Sequence, residues 1–220
     1  MKNPIISPSE VDVFVNKVLD KNGSDFEPEI IPVIIESFSK TLNCFIDVEE
    51  KVKRDGGKVH YGWAIFKSDI LCEAERHAVW ENEDEELIDI TPREFNFEQI
   101  MFVSDNDFIY QGQLVDNIRV NLTQNPIVDD FIFVCENLEI LYTFGKRIDD
   151  DRMIIPPSIV PLIEKYESIK STLLFFINSG GKPSSKCFCG GQKNYKNCHG
   201  LNLKQNISLE MSSIVKPKAP

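Results

Sequence analysis

The sequence predicts an α+β protein in which an antiparallel sheet packs with helices and a small cysteine-rich segment follows. Three observations support this fold class. Apolar residues recur at helical spacing up to about residue 56, alternate with period two from Lys58 onward, and return to helical spacing in the second half. Three cysteines and one histidine then lie within thirteen residues near the C-terminus. With 220 residues, the chain can hold one sizeable core with an appendage, or two small domains.

Helical patterns precede the sheet. Residues 8–22 predict an amphipathic helix, with Ser7 or Ser9 as its N-cap. The apolar stretch 28–38 is a candidate start for a second helix. Helical spacing resumes over residues 43–55, and the two glycines that follow are a typical signal for a helix end.

The middle of the chain alternates apolar and polar residues, which predicts strands separated by acidic turns. The expected strands are Lys58–Lys67, Ile70–Glu81, Glu86–Thr91 and Gln99–Val103. Two longer helical patterns follow them, at Ile127–Phe144 and Pro157–Asn178.

These patterns predict a main domain over residues 1–178, whose functional core spans about 40–105. Glycine, serine and proline dominate residues 179–186, which predicts a flexible linker. The cysteine-rich segment then occupies 187–200. Residues 201–220 end in lysines and prolines, and we expect a flexible tail there.

Charge and cysteine usage narrow the function classes. The net charge is −11, but residues 181–220 hold seven lysines and one acid, so the rest of the chain carries about −17. An acidic body repels phosphate, which makes nucleic acid an unlikely partner. No apolar run is long enough for a membrane span, and no signal-peptide core begins the chain. Cys44, Cys72 and Cys135 are an odd number of scattered thiols outside the cysteine-rich segment, which favours the reducing cytoplasm.

The cysteine-rich segment has the composition of a closed metal site. Three thiols and one imidazole make a complete tetrahedral ligand set for Zn²⁺, with no position left for water. A segment this short cannot bury a core, so the metal would have to supply its folding free energy. The expected ligands are Cys187, Cys189, Cys198 and His199.

The same spacing, C-x-C followed after eight residues by C-H, resembles the zinc motif at the C-terminus of the SecA preprotein translocase, the SEC-C motif. Tyr195-Lys196 precedes the final pair, as in that family. The resemblance covers about residues 184–200. It implies a zinc knuckle, a module that does not by itself name a function. If the chain is a binding protein, this knuckle docks a partner such as a chaperone or a ribosomal component.

A second cysteine lies in a context that suggests catalysis. Cys44 follows Asn43, so its sulfur is expected in the first turn of a helix, where free N–H groups and the helix dipole favour a thiolate. His77 and Asp89 are expected on adjacent antiparallel strands. A cysteine nucleophile needs a base, and the base needs a carboxylate to orient it. We therefore predict Cys44, His77 and Asp89 as a catalytic triad.

This order of elements, together with His77-Ala78-Val79-Trp80 and Asp89-Ile90-Thr91-Pro92, resembles the transglutaminase-like and papain-like core. The resemblance spans about residues 40–95. It implies Cys44 as nucleophile, His77 as general base and Asp89 as the orienting acid. The whole chain is similar to bacterial and phage proteins that join such a core to a SEC-C zinc tail.

Two function classes follow. The first is a zinc-binding cytosolic cysteine hydrolase or acyltransferase acting on amide or peptide bonds. The second is a non-catalytic binding protein whose zinc knuckle docks a protein partner, because the core lacks tryptophans common beside such a nucleophile. Glu73 and Glu75 flank the histidine and either line a cleft that selects cations or form a solvated acidic face.

Overall fold

The computed structural model of the protein describes residues 5–23, 26–149 and 152–214, without the side chains of 147–149. It divides the chain into two compact units. The first contains the residues up to 122 together with 147–152. The second contains residues 123–146 and those from 153 onward. The fold is mixed α+β with an antiparallel sheet and five helices among the described residues, which confirms the predicted class.

The first helix, α1, spans Val13–Asn22 and begins later than predicted. Asp12 caps it, since its carboxylate accepts hydrogen bonds from the backbone N–H of Phe14 and Val15 at 3.0 Å. Ser7, one of the two predicted caps, accepts instead from the backbone N–H of Met101 in the sheet at 2.7 Å. The segment before Asp12 is therefore bound to a strand rather than wound into the helix.

The second helix, α2, spans Cys44–Asp55, as the sequence predicted. It ends at Gly56, which has a φ of 78° and donates its N–H to the carbonyl of Val52. A positive φ favours glycine, which explains why the helix ends there.

Six strands form the sheet of the first unit in the order β1-β5-β2-β3-β4, and β6 also pairs with β3. All of these pairings are antiparallel. The strands are β1 (Glu29–Pro32), β2 (Lys58–Lys67), β3 (Leu71–Glu81), β4 (Leu87–Ile88), β5 (Gln99–Ser104) and β6 (Ile118–Asn121).

Three strands of this sheet differ from the sequence prediction, and one of them, β4, covers only Leu87–Ile88 of the expected Glu86–Thr91. Residues 29–32 pair with β5 as an edge strand, so the helix expected over 28–38 was wrong. The β-branched Ile30 and Ile31 favour a strand, and Pro32 is tolerated at an edge because it needs no N–H partner there. The short strand β6 was not predicted, since four residues give too little alternation to detect.

The strand β3 carries a stretch that is paired on one side only. β4 pairs with Trp80 and Glu81, whereas β6 pairs with residues 71–74. Residues 75–79 lie between these two partners and pair with β2 on the other side. The gap places His77 near the N-terminal end of α2, which packs on β3.

Apolar packing fixes both helices of the first unit on the sheet. Val15 and Val18 of α1 lie in one core cluster with Trp63 and Ile65. A second cluster joins the start of α2 to β3 and to the residues after β4; its buried members are Cys44, Phe45, Val48, Ala78, Ile88 and Ile90.

The second unit contains α3 (Pro126–Tyr142), α4 (Val160–Asn178), a single 3-10 turn at Tyr195–Asn197 and α5 (Leu203–Ile214). The strands β7 (Lys146–Asp149) and β8 (Arg152–Ile154) pair in a separate two-stranded sheet, whose residues 147–149 and 152 are grouped with the first unit. α3 packs on α4 and on α5. These helices group with the cysteine-rich segment rather than with the sheet, whereas the sequence suggested a boundary after residue 178.

Two segments predicted to be flexible have defined structure. Residues 203–214 of the expected tail form α5, because Ile207 and Met211 are buried; 215–220 lie outside the described residues. The expected linker is held by hydrogen bonds: the carbonyl of Gly181 accepts from the side chain of Asn125 at 2.8 Å, and that of Ser185 accepts from the N–H of Tyr195 at 2.9 Å.

Candidate functional sites

Cys44 is the first residue of α2, and its side chain is 8 % exposed. Asn43 does not cap the helix; its amide donates to the carboxylate of Asp47, 3.3 Å away, and the backbone N–H of Lys40 donates to the other oxygen of that group. Asp47 therefore holds the loop that leads into Cys44. The first N–H groups of a helix have no acceptor within it, so those of Cys44 and Phe45 at the start of α2 are left without an intrahelical partner.

His77 and Asp89 meet as the sequence predicted. His77 Nε2 lies 3.0 Å from Asp89 Oδ1, and the carboxylate is fully buried. Asp89 directly follows β4, where its N–H donates to Pro32 and its Oδ1 accepts from the N–H of Thr91 at 3.0 Å. These bonds fix the carboxylate against the imidazole.

Cys44 completes this chain of contacts. Its side chain interacts with the His77 ring. Because Nε2 of the ring faces Asp89, Nδ1 is the nitrogen that remains for the thiol. Burial disfavours a charged ring, but Cys44 and Asp89 outweigh it and raise the pKa of His77 to about 9. Burial likewise opposes ionisation of Asp89, yet His77 and Arg93 lower the pKa of this carboxyl to about 2.

Arg93 joins the site without having been predicted. Its Nη1 donates to the second oxygen of Asp89, and its Nη2 lies 3.0 Å from His77 Nε2. When Nε2 carries the proton that Asp89 accepts, the Nη2 contact is a close approach of two donors, and the bond to Asp89 is the stabilising one. A single arginine after Pro92 matches no motif, so no sequence pattern pointed to it.

A cavity of about 550 Å³ opens beside the sulfur. Cys44 and His77 both line it, as do Glu75 and Arg93. Leu42 also contributes to the wall; it is 95 % exposed and has a φ of 62°, which is uncommon for a branched side chain. In the first unit, the Cys44 thiol and the His77 ring thus lie at the wall of one cavity.

A second hydrogen-bonded histidine lies elsewhere in the sheet. His60 Nε2 lies 2.8 Å from Ser104 Oγ, and its Nδ1 lies 3.1 Å from Glu81 Oε2. This group joins β2, β3 and β5, but none of its members lines the cavity beside Cys44. Cys44 is therefore the better-placed nucleophile.

The second unit brings the four predicted metal ligands together. The ligand atoms of Cys187, Cys189, Cys198 and His199 all lie within 4.8 Å of one another, so the group could hold a metal ion. Cys187 Sγ lies 3.2 Å from His199 Nδ1, and Cys189 Sγ lies 3.7 Å from Cys198 Sγ. Burial opposes a thiolate at Cys187, but N–H groups of Cys189 and His199 lower its pKa to about 6.

Two aromatic rings, one buried and one exposed, pack on this cluster. Tyr195 is 2 % exposed and donates from its hydroxyl to Asp130 of α3 at 2.8 Å. Phe188 lies between the two cysteines of the C-x-C pair, and its ring centre lies 4.7 Å from that of His199. Gly200 follows, and a Cβ there would come within 2.3 Å of the Tyr195 ring.

Comparisons with protein-family models, with curated proteins and with solved structures found no match to this chain. Among the described residues, no helix is long and apolar enough to cross a membrane. The resemblances to the transglutaminase-like core and to the SEC-C motif therefore stay predictions, and function has to be argued from the two sites.

Proposed function

We propose that this chain is a zinc-binding cysteine hydrolase or acyltransferase that acts on amide or peptide bonds. One observation carries the proposal: the Cys44 thiol and the His77 imidazole interact beside a cavity that both line, and the imidazole is hydrogen-bonded to the Asp89 carboxylate. A nucleophile, a base and an orienting acid in this order support acyl transfer.

In the proposed reaction, the thiol of Cys44 passes its proton to His77, and its sulfur attacks the carbonyl carbon of the substrate. The negative charge that forms on the carbonyl oxygen is stabilised by the free N–H groups at the start of α2. The C–N bond then breaks, and the amine leaves with a proton from His77. A water or amine attacks the resulting thioester, His77 takes its proton, and the C–S bond breaks to release the acid or new amide.

Asp89 and Arg93 support this cycle without touching the substrate. Asp89 keeps the proton on Nε2, so that Nδ1 faces the sulfur and can exchange a proton with it. The charge of Arg93 keeps Asp89 ionised in a buried position. Both are positioning residues.

We assign zinc to the second unit because the ligand spacing suits it. Thiolate bonds of about 2.3 Å in a tetrahedron place sulfurs about 3.8 Å apart and a sulfur and a nitrogen about 3.6 Å apart. The corresponding separations are 3.7 Å for Cys189 and Cys198 and 3.2 to 3.5 Å for the sulfurs nearest His199. Four protein ligands leave no open position, so the ion would stabilise structure.

The test is the rate at which a neutral haloacetamide alkylates each cysteine of the zinc-loaded full chain. Cys44 should react much faster than Cys72, whose burial raises its pKa to about 11. His77→Ala should slow Cys44 and leave Cys72 unchanged. Equal slow rates at the two thiols would overturn the catalytic proposal.

An alternative function, a binding protein without catalysis, is favoured by apolar side chains exposed near the cysteine-rich segment. Leu201 and Leu209 are 62 % and 64 % exposed. A groove of about 590 Å³ lies beside them and is lined by Cys198, His199 and Asn206. Under this alternative, Cys198→Ser abolishes binding of a protein partner and Cys44→Ala costs only packing. Under the enzymatic proposal, Cys44→Ala abolishes turnover and leaves the zinc content intact.

A further inference from the structure

We propose that Glu75 is a specificity residue that selects substrates carrying a cationic group on an aliphatic stem, as in lysine or arginine side chains. The inference rests on the proposed function, since it assigns the substrate class of the cavity beside Cys44. It favours the first of the two sequence-based interpretations of Glu75, a cleft that selects cations, over a solvated acidic face.

The position of Glu75 supports this role. It lies on β3 two residues before His77, so both side chains project on the same side of the strand. It also lies in the stretch of β3 between β4 and β6, and its side chain lines the same cavity as Cys44 and His77. A substrate positioned for attack by Cys44 therefore comes within reach of the carboxylate.

The two arginines of the cavity wall are already compensated, and Glu94, its other carboxylate, is exposed to solvent. Arg76 pairs with Asp105 and stacks over Trp63, with its guanidinium carbon 3.6 Å from the ring centre. Arg93 pairs with Asp89.

Glu75 differs from these residues. Among the residues that the structure describes, it has no hydrogen-bond or ion-pair partner. The neighbouring Glu73, in contrast, is held by Arg119 at 2.7 Å and by Asn117 at 3.0 Å. The carboxylate of Glu75 is thus a half-buried acidic group of the cavity wall with no direct partner, although Arg93, His77 and Arg119 attract it from a distance. A carboxylate of this kind favours a cationic ligand.

Apolar walls explain the aliphatic stem. Phe66, Phe95, Phe97 and Val115 line the cavity together with Glu75. Such surfaces accept methylene groups, and aromatic faces also attract cations. Burial and the nearby Glu73 raise the pKa of Glu75, and a cation bound in the cavity would counteract that effect.

Three methanethiosulfonates of similar size and different charge test the proposal on the zinc-loaded full chain: trimethylammonioethyl, hydroxyethyl and sulfonatoethyl. The thiolate of Cys44 forms a disulfide with the reagent and displaces methanesulfinate, so no substrate or turnover is needed. Mass spectrometry gives the rate at each cysteine, and each rate is divided by that of the free thiol glutathione.

We expect the cationic reagent to label Cys44 at least about tenfold faster than the anionic one after this normalisation, because the carboxylate adds an attractive interaction. Glu75→Gln should bring the ratio close to one, and Glu75→Lys should invert it. Glu85→Gln removes the same charge from an exposed turn outside the cavity and should keep the wild-type ratio.

The two failures are distinguishable. If Cys44 reacts quickly with all three reagents and the ratio is the same in wild type and Glu75→Gln, the cation proposal is wrong and the nucleophile stands. If Cys44 reacts no faster than Cys72 with any reagent, the proposed function is wrong, and so is the substrate class that depends on it.

Discussion

Cysteine and histidine side chains lie together at two sites in this chain, and the two sites differ in what surrounds the sulfur. In the first unit a single thiol faces a ring whose other nitrogen is held by Asp89, and a cavity of about 550 Å³ lies beside them. In the second unit three thiols converge on one ring nitrogen within 4.8 Å. The first arrangement leaves space for a substrate, whereas the second leaves space for an ion. The surroundings, more than the residue types, decide the chemistry.

The largest effect should come from the metal. We expect Cys198→Ser, or a chelator, to unfold the segment around Tyr195, because metal binding supplies on the order of 10 kcal/mol to such short segments. Hydrogen exchange at the Tyr195 N–H, which donates to Ser185, measures this directly. Cys135→Ser changes a thiol of the same unit outside the cluster and should retain the metal. Unchanged protection after complete metal loss would show that the cluster is not structural.

The next effect concerns the other sulfur. Cys44→Ala should lower turnover of an amide substrate about 10⁶-fold, since the nucleophile and its base act as a unit. Metal content should stay at the wild-type ratio. Cys72→Ala, the same substitution at a fully buried thiol of the same unit, should cost stability and leave turnover nearly unchanged. If the Cys44→Ala protein kept full turnover, Cys44 would not be the nucleophile, and both cysteine–histidine sites would be structural.

The two sites were predicted from sequence patterns of different length. The metal ligands lie within thirteen residues, so their spacing alone predicted the cluster that the structure brings together. The residues of the other site come from α2, β3 and the end of β4, and only the assignment of those elements predicted that they meet. α2, β2 and β3 were predictable because strong periodicity and glycine signals mark them.

The rest depended on tertiary contacts that no local pattern encodes. The N-terminal helix starts at Asp12 because Ser7 binds the backbone of β5. Arg93 enters the site through a contact with a carboxylate that is buried by the fold. α5 is helical because Ile207 and Met211 find partners in the second unit, although the sequence around them suggested a tail.

The effect of Asp89→Asn on the pH dependence of turnover tests the role of Asp89 in the first site. Turnover should fall about 10⁴-fold, because the ring loses its orienting partner. The pKa of His77, about 9, should drop, since Asp89 is one of the charges that raise it. The alkaline limit of the residual activity should then move to lower pH. If the alkaline limit of activity stays at the same pH, a group other than His77 sets it.

The same variant should change how stability depends on pH. In the wild type, Asp89 has a lowered pKa, so its contribution is present above about pH 4 and is lost as the pH falls toward 2. His77 has a raised pKa, so its contribution is present below about pH 6.5 and is lost as the pH rises through 9. Urea unfolding followed by the fluorescence of Trp63 and Trp80 reports on this unit, since both tryptophans lie in it. Asp89→Asn should remove the loss of stability at acid pH that Asp89 causes, whereas Asp84→Asn in an exposed turn should retain that loss.

The smallest effect tests how the metal cluster is anchored. Tyr195→Phe removes the hydroxyl that donates to Asp130 at 2.8 Å, and leaves a mostly buried carboxylate, 17 % exposed, with only the more distant Lys204. We expect the second unit to lose about 1 kcal/mol. Tyr142→Phe deletes the same atom from a bond to Glu167, whose side chain is 36 % exposed, so water can replace the lost donor and the cost should be smaller. Chemical unfolding followed by circular dichroism measures both. Equal losses in the two variants would mean that burial of Asp130 does not strengthen the anchor, and that the ion alone holds the segment.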